Sequence, residues 1–320
     1  MRRVADSSAS HFARSARSPA TYKAYADDWR DFTNWCAEHW ESALPATAAT
    51  VGRFLADRAT ALKPATLDGR LSAILIVHRQ AGFVEALDRR HPAIADTLKG
   101  IRRALGTAPL QKEALSRDDL AILVSAQPNT LLGLRDRALL LLGWAGAFRR
   151  GELAALEVRD LTFTSEGLAV TIRRSKEDQE GKSQMKGLPL AANPDLCPVR
   201  AVRKWLMASS TGEGPLFRRL DRHGNIYEDG ISGEAVALAV KRAVRLAGQR
   251  EGWTKAEIAR RMDAVAGHSL RAGLITAAAE AGATELQIME ISLHRSMRTL
   301  RGYVRRGSLF RSDVHRKVGL

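Results

Sequence analysis

Two cysteines in 320 residues, Cys36 and Cys197, cannot build a disulfide framework or a cysteine-rich zinc site. Their scarcity fits a reducing cytosol. Long apolar runs are also missing. The strongest, around Ala138–Leu142, falls well short of the ~18 residues that a membrane span needs. The first residues are basic and rich in Ser and Ala with no apolar segment, so residues 1–17 read as a disordered arm and not as a secretory signal. No complete Walker-type phosphate loop occurs, nor an acidic cluster suited to two-metal catalysis, and no cofactor or metal is expected. Acidic side chains are the remaining shortage: 35 Asp and Glu face 50 Lys and Arg, leaving a formal charge of +15. The excess is spread along the chain, which implies a polyanionic partner, most simply nucleic acid, bound with salt-sensitive affinity.

What is present is helical periodicity in two blocks. Ser18-Pro19 is a helix start, followed by Tyr22, Tyr25, Trp29, Phe32 and Trp35 at three- and four-residue intervals. Further helices are predicted after Thr47, after Pro64 and over Pro92–Leu105, giving a four-helix unit over residues 18–105. Residues 106–113 break the period and read as a linker. Ser116 with Asp119 is a capping-box start, and a strongly apolar helix follows over Leu131–Ala145. Short β-compatible pieces at Leu161–Thr164, Leu168–Arg173 and Leu188–Leu190 flank a polar loop and predict a small antiparallel sheet. After Cys197-Pro198 helices are predicted to the end. The expected fold class is mainly α: a helical N-terminal domain, then a mostly helical domain over residues 114–320 with a small sheet.

The residues with reactive chemistry cluster late in the chain. His268-Ser269-Leu270-Arg271 is followed 23 residues after the Arg by His294, and nine residues later by Tyr303. Upstream stand Arg149-Arg150-Gly151-Glu152-Leu153 and Lys176. Cutting a phosphodiester requires charge stabilisation, a nucleophile and an acid for the leaving oxygen. Arg149 and Arg271 suit the first task, because a guanidinium donates two hydrogen bonds to phosphate and keeps its charge. Tyr303 is the candidate nucleophile, although a phenol with a pKa of ~10 needs a base or a cationic field. His268 would take its proton or hold the phosphate. Lys176, in a hairpin loop, would protonate the leaving oxygen. His294 would hydrogen-bond the phosphate and align Tyr303. Each of these alone is an ordinary packing or surface residue. Together, in this order, they specify a reaction.

The set resembles the tyrosine recombinase (phage integrase) family over nearly the whole chain from Ser18. Ala147-Phe148-Arg149-Arg150-Gly151-Glu152-Leu153 is similar to its first arginine box, which makes Arg149 the catalytic arginine and Glu152 its support. His268-Ser269-Leu270-Arg271 is similar to the His-x-x-Arg box. Leu293-His294-Arg295-Ser296 with Arg301-Gly302-Tyr303 is similar to the final His…Tyr segment. The β-hairpin lysine maps best onto Lys176, with Lys182 and Lys186 as competitors. Two departures stand out: Arg150 where an apolar residue is commoner, and Ser292-Leu293 where Leu-Gly is usual.

The resemblance implies a SAM-like core-DNA-binding domain followed by a catalytic domain, the two clamping a duplex. It implies a 3′-phosphotyrosyl link, strand exchange through a Holliday junction by a tetramer on synapsed double-stranded core sites, no ATP or metal, and action in the cytoplasm on nucleoid DNA. Accessory DNA-bending or directionality proteins would be its other partners, and a mobile element its natural setting. The segment Ser308–Leu320 is either a helix passed to a neighbouring subunit or a basic tail. In the N-terminal unit, Arg70, Arg79, Arg89, Arg90, Lys99, Arg102 and Arg103 are candidate DNA contacts. Two other readings remain: a telomere resolvase or type IB topoisomerase using the same site, and a DNA-binding regulator without catalysis whose Thr284–Val304 segment is a helix-turn-helix.

Overall fold

The computed structural model describes residues 19–83, 87–107, 112–173, 183–294, 296–297, 300 and 302. The chain divides into two compact units between residues 110 and 111. Lys176, Lys182, Tyr303, the arm at 1–17 and the tail at 308–320 lie outside the described residues.

The first unit contains α1 (Pro19–Glu38), α2 (Ala48–Arg58), α3 (Pro64–Gln80) and α4 (Pro92–Leu105). Local chemistry sets these starts. Proline opens α3 and α4 at the position where a missing N–H costs nothing. The Thr47 hydroxyl accepts from the Thr50 N–H and caps α2. The apolar stripes meet in one core of Phe32, Trp35, Val51, Phe54, Leu67, Leu71, Ile74, Ile94 and Leu98. His78 is buried there: its Nε2 accepts from the Ala46 N–H at 2.9 Å and its Nδ1 lies 2.9 Å from the Ile74 carbonyl. Both ring nitrogens are thus occupied by main chain, with the proton on Nδ1.

The second unit opens with α5 (Arg117–Ser125), where Ser116 and Asp119 form the expected capping box. Next comes α6 (Leu131–Ala145), buried on nearly every face and central to the core. Asp136 within it is fully buried but bridges Arg135 and Arg242 at 2.9 and 2.8 Å, so its charge is paired. A tight turn leads to the short helix α7 (Arg150–Ala154) and then to an antiparallel sheet of β1 (Leu161–Phe163), β2 (Gly167–Ile172) and β3 (Gln184–Pro189). In the β2–β3 register Val170 faces Lys186 and Leu168 faces Leu188. Alternation along β3 turns Met185 and Gly187 outward and Lys186 and Leu188 inward.

Helix α8 (Pro198–Ser209) packs on α6. The expectation of helices alone beyond Pro198 then fails. A second hairpin, β4 (Arg218–Leu220) with β5 (Ile226–Gly230), intervenes. Its strands are too short and polar to show alternation, and they are held by the cross-strand Arg219–Asp229 pair at 2.9 Å and by Arg219 over the Tyr227 ring at 3.9 Å.

Among the described residues the helices α9 (Gly233–Arg250), α10 (Lys255–Ala264), α11 (His268–Glu280) and α12 (Glu285–Ser292) follow. Here α9 braces α7, and α11 lies on α6. The α11 contact depends on Gly273, because a Cβ there would sit 2.1 Å from the Leu115 carbonyl and 2.6 Å from Trp144 Nε1. That indole donates to the same carbonyl at 2.9 Å. No helix among the described residues is long and apolar enough to cross a membrane.

Candidate functional site

The site is built where α6 ends. The turn Gly146-Ala147-Phe148 includes Ala147 at a φ of 46°, a left-handed conformation that costs about 1–2 kcal/mol in a residue with a side chain. It leaves the carbonyls of Gly146 and Ala147 facing the protein interior, at the negative end of the α6 dipole. Each carbonyl is met by a donor from a distant segment: Lys186 Nζ donates to Gly146, and Arg271 Nη1 donates to Ala147 at 2.6 Å.

Arg149 follows directly. It caps α7, and Glu152 fastens it twice: the Arg149 N–H donates to Oε2 at 3.0 Å and Nη1 donates to Oε1 at 2.8 Å. Glu152 is almost completely buried while Arg149 keeps 18% of its side chain exposed, so the carboxylate works from behind.

Arg271, in the first turns of α11, is fully buried. Its Nη2 lies 3.1 Å from His294 Nε2. His294 arrives by an unusual route. Helix α12 ends at Ser292, and Leu293 turns the chain with a φ of 55° while its N–H donates to the Met289 carbonyl at 2.7 Å. Glycine would be free of strain there. Leu293 packs partly buried against the core, and that burial offsets the strain. The reversal swings His294 back beneath its own helix, so that Nδ1 lies 2.8 Å from Ser292 Oγ.

His268 heads α11. Partial burial, then Arg271, Arg149 and Arg150, hold its pKa below the ordinary histidine value, so the ring is neutral at pH 7. Gly267, just before His268, lies against Arg150, where an added Cβ would sit 3.1 Å from the Arg150 Cβ, so the head of α11 meets the Arg149-Arg150 segment, with His268 itself exposed. Arg150 is exposed. The structure therefore gathers Arg149, His268, Arg271, His294 and the supporting Glu152.

Lys186 is the residue that the sequence left as a competitor. Only 3% of it is exposed. Besides Gly146, its amine donates to the Ile291 carbonyl at 2.6 Å, and it lies 4.8 Å from the Phe148 ring centroid. It thereby ties the Arg149 turn to the α12 end that carries His294. Burial foremost, then repulsion from Arg271 and Arg149, pushes its pKa down to about 7, against the attraction of Glu152. A neutral amine has two N–H groups, as many as the carbonyls it serves. Ser292 was the other unrecognised member, and its only signal was its departure from the usual Leu.

Replacing Lys186 by Met is expected to cost several kcal/mol of stability, about 1–3 kcal/mol for each carbonyl left without a donor. Between pH 7 and about 10 the unfolded chain holds a proton on this lysine that the folded chain has released. Wild-type stability should therefore rise with pH relative to Lys186→Met, by at most about 1.4 kcal/mol per pH unit. Urea midpoints of both proteins at pH 6.5 and 9 read this directly, and a constant difference would refute it.

The candidate DNA contacts of the first unit fare unequally. Arg70 is half-buried and pairs with Asp31 and Asp28, Arg102 pairs with Asp68 at 2.8 Å, Arg89 with Asp68 at 3.0 Å and Arg90 with Asp88 at 3.2 Å. Arg79, Lys99 and Arg103 are exposed, and no ion pair among the described residues engages them. Among the described residues no three His, Cys, Asp or Glu side chains gather as a metal site would need.

Comparison with known proteins gives one consistent outcome. The model of the phage integrase family matches residues 113–308. An integrase/recombinase XerD homologue of Selenomonas ruminantium is 36% identical over 304 residues, spanning 93% of this chain and 85% of that protein. A tyrosine recombinase of Synechococcus elongatus is 30% identical over 307 residues, covering 90% of this chain and 85% of the relative. Among solved structures, a lambda integrase dimer bound to a COC′ core site aligns over 93% of this chain and 75% of that one, with a TM-score of 0.60 at 15% identity. XerH site-specific recombinase bound to a palindromic difH substrate aligns over 86% and 72%, with a TM-score of 0.58 at 16% identity. At such identities the structures speak to fold.

Proposed function

The chain belongs to the phage integrase family, as a site-specific tyrosine recombinase, and from that premise we propose how its own residues cut and rejoin DNA. The observation that carries the reading is that Arg149, held from behind by the Glu152 carboxylate, follows the turn whose Ala147 carbonyl Arg271 engages, while His294 meets Arg271 and the charges of both arginines act on His268. Such a surplus of fixed donors and positive charge suits a phosphodiester whose negative charge grows during attack.

In the proposed reaction, the Tyr303 oxygen attacks phosphorus and its proton passes to His268, which is neutral at pH 7. Arg149 and Arg271 hold the nonbridging oxygens, joined by His294. The 5′ oxygen departs with a proton from Lys176, leaving a 3′-phosphotyrosyl link. A 5′-hydroxyl of the partner strand then attacks this link and releases the tyrosine, first forming a Holliday junction. Bond energy is conserved throughout, so ATP has no part, and the guanidinium groups supply the charge that a metal otherwise would. The partners would be two double-stranded core sites synapsed by four copies of the chain, with accessory bending or directionality proteins. Of the seven candidate contacts in the first unit, Arg79, Lys99 and Arg103 are the ones best free to meet phosphates. The protein would act in the cytoplasm on nucleoid DNA.

The test incubates purified protein in EDTA with labelled duplex spanning the ends of its own genetic element, including a nicked version that traps cleavage. A protein–DNA adduct on a denaturing gel, yielding phosphotyrosine after proteolysis, is expected. Sequence-specific binding with no adduct on the nicked duplex would turn the reading to a DNA-binding regulator.

A further inference from the structure

We propose that Ser292 is a positioning residue that fixes His294 as its Nδ1-protonated tautomer, so that Nε2 alone of the ring nitrogens faces the arginine site. The inference rests on the recombinase reading above and adds to it a residue that departs from the family's usual sequence.

Hydrogen-bond direction fixes the tautomer. A guanidinium can only donate, so the 3.1 Å contact between Arg271 Nη2 and His294 Nε2 requires a lone pair on Nε2. The ring proton then resides on Nδ1 and points at Ser292 Oγ, 2.8 Å away. Ser292 must in turn donate, and it does so to the Ile288 carbonyl at 2.5 Å, an acceptor with no proton to give. Donation therefore runs one way, from Arg271 through His294 and Ser292 to the α12 backbone, and each end of the chain forbids the reverse. Arg271 and Ser292 are fully buried and His294 is 7% exposed, so water does not easily substitute for any link. A leucine at 292 has no atom that could receive the Nδ1 proton. The left-handed turn at Leu293 makes the contact possible, because it brings a side chain two residues onward under the Ser292 hydroxyl.

When a phosphate enters and draws Arg271 toward its oxygens, the Nε2 lone pair is released; the ring then takes up one proton from bulk solution, becomes an imidazolium, and donates an Nε2–H hydrogen bond to a nonbridging oxygen. Ser292 keeps Nδ1 engaged throughout, so the ring neither flips nor changes tautomer. This is the role in which a partner on the far nitrogen orients a functional histidine.

Long-range proton–nitrogen NMR of histidine-labelled, DNA-free protein at pH 8 distinguishes the tautomers, with the His294 signals identified by their loss in His294→Asn. The wild type is expected to show a pyrrole-type Nδ1 and a pyridine-type Nε2. Ser292→Ala should show mixed tautomers and slow single-turnover cleavage roughly 10- to 100-fold, with DNA affinity unchanged, and Ser292→Thr should restore both. An Nε2-protonated ring in the wild type overturns the inference. So does Ser292→Ala with the wild-type spectrum and rate. The NMR needs neither DNA nor activity, so failure of the tautomer leaves the recombinase reading standing, whereas a wild type that forms no adduct defeats that reading whatever the ring shows.

Discussion

Replacing Tyr303 by Phe is expected to abolish the covalent protein–DNA adduct while leaving site binding within about twofold, since the change removes one oxygen that carries no charge at neutral pH. The chain has only four tyrosines, which makes the assignment sharply testable. Tyr22 and Tyr25 belong to α1, in the first unit. Tyr227 lies on the polar hairpin with its hydroxyl 3.4 Å from the Asp221 carboxylate, an anion that would repel a phosphodiester. Tyr227→Phe should accordingly give adduct at the wild-type rate. Adduct from Tyr303→Phe in the EDTA assay would remove Tyr303 as nucleophile and reopen the question for Tyr227. Full loss in Tyr303→Phe with binding intact separates the chemical role from any contribution to folding.

Arg271→Lys is expected to reduce single-turnover cleavage by roughly 10²–10³-fold, the loss that follows removal of a preorganised donor from a developing oxyanion. The charge is kept, so the loss isolates geometry. Arg271 uses one arm of its fork on the Ala147 carbonyl and another on His294. A lysine ammonium is a single point and cannot hold both while reaching a phosphate. DNA affinity should fall only a few fold, because the electrostatic attraction comes from many cations across the chain. A cleavage rate within fivefold of wild type would show that Arg271 acts only by charge. Glu152→Gln makes a useful comparison, since it loosens Arg149 but leaves the Arg271 contacts in place.

Much of the helical framework was legible because its determinants are local. Proline at a first helical position, Thr47 and Ser116 as caps, and the apolar period of Leu131–Ala145 mark boundaries without reference to anything distant. The β4–β5 hairpin was not legible, because Arg219, Glu228 and Asp229 carry no hydrophobic alternation. Only the cluster Asp221…Gly224-Asn225 signalled a turn. Arg70 and Arg102 looked like free cations, since Asp31 and Asp68, which engage them, lie more than thirty residues away. The same limit applied to Lys186: strand alternation points it inward, but nothing nearby says that the Gly146 and Ile291 carbonyls await it. The proposed reacting set was assembled from order and spacing alone, while Ser292 and Lys186, which hold Arg271, His294 and the Arg149 turn in place, belong to tertiary structure.

The separation of those supports along the chain has a consequence for the cell. The Arg271–Ala147 contact joins residues 124 apart, and Lys186 reaches 40 residues back and 105 forward. Loops of that length close late in folding, because their entropy is lost before any contact repays it. A nascent chain, a truncated product or a half-unfolded molecule therefore owns the reactive side chains but not their arrangement. For a site-specific recombinase, this couples assembly of the proposed site to the completion of the fold, so that quality control of one is quality control of the other.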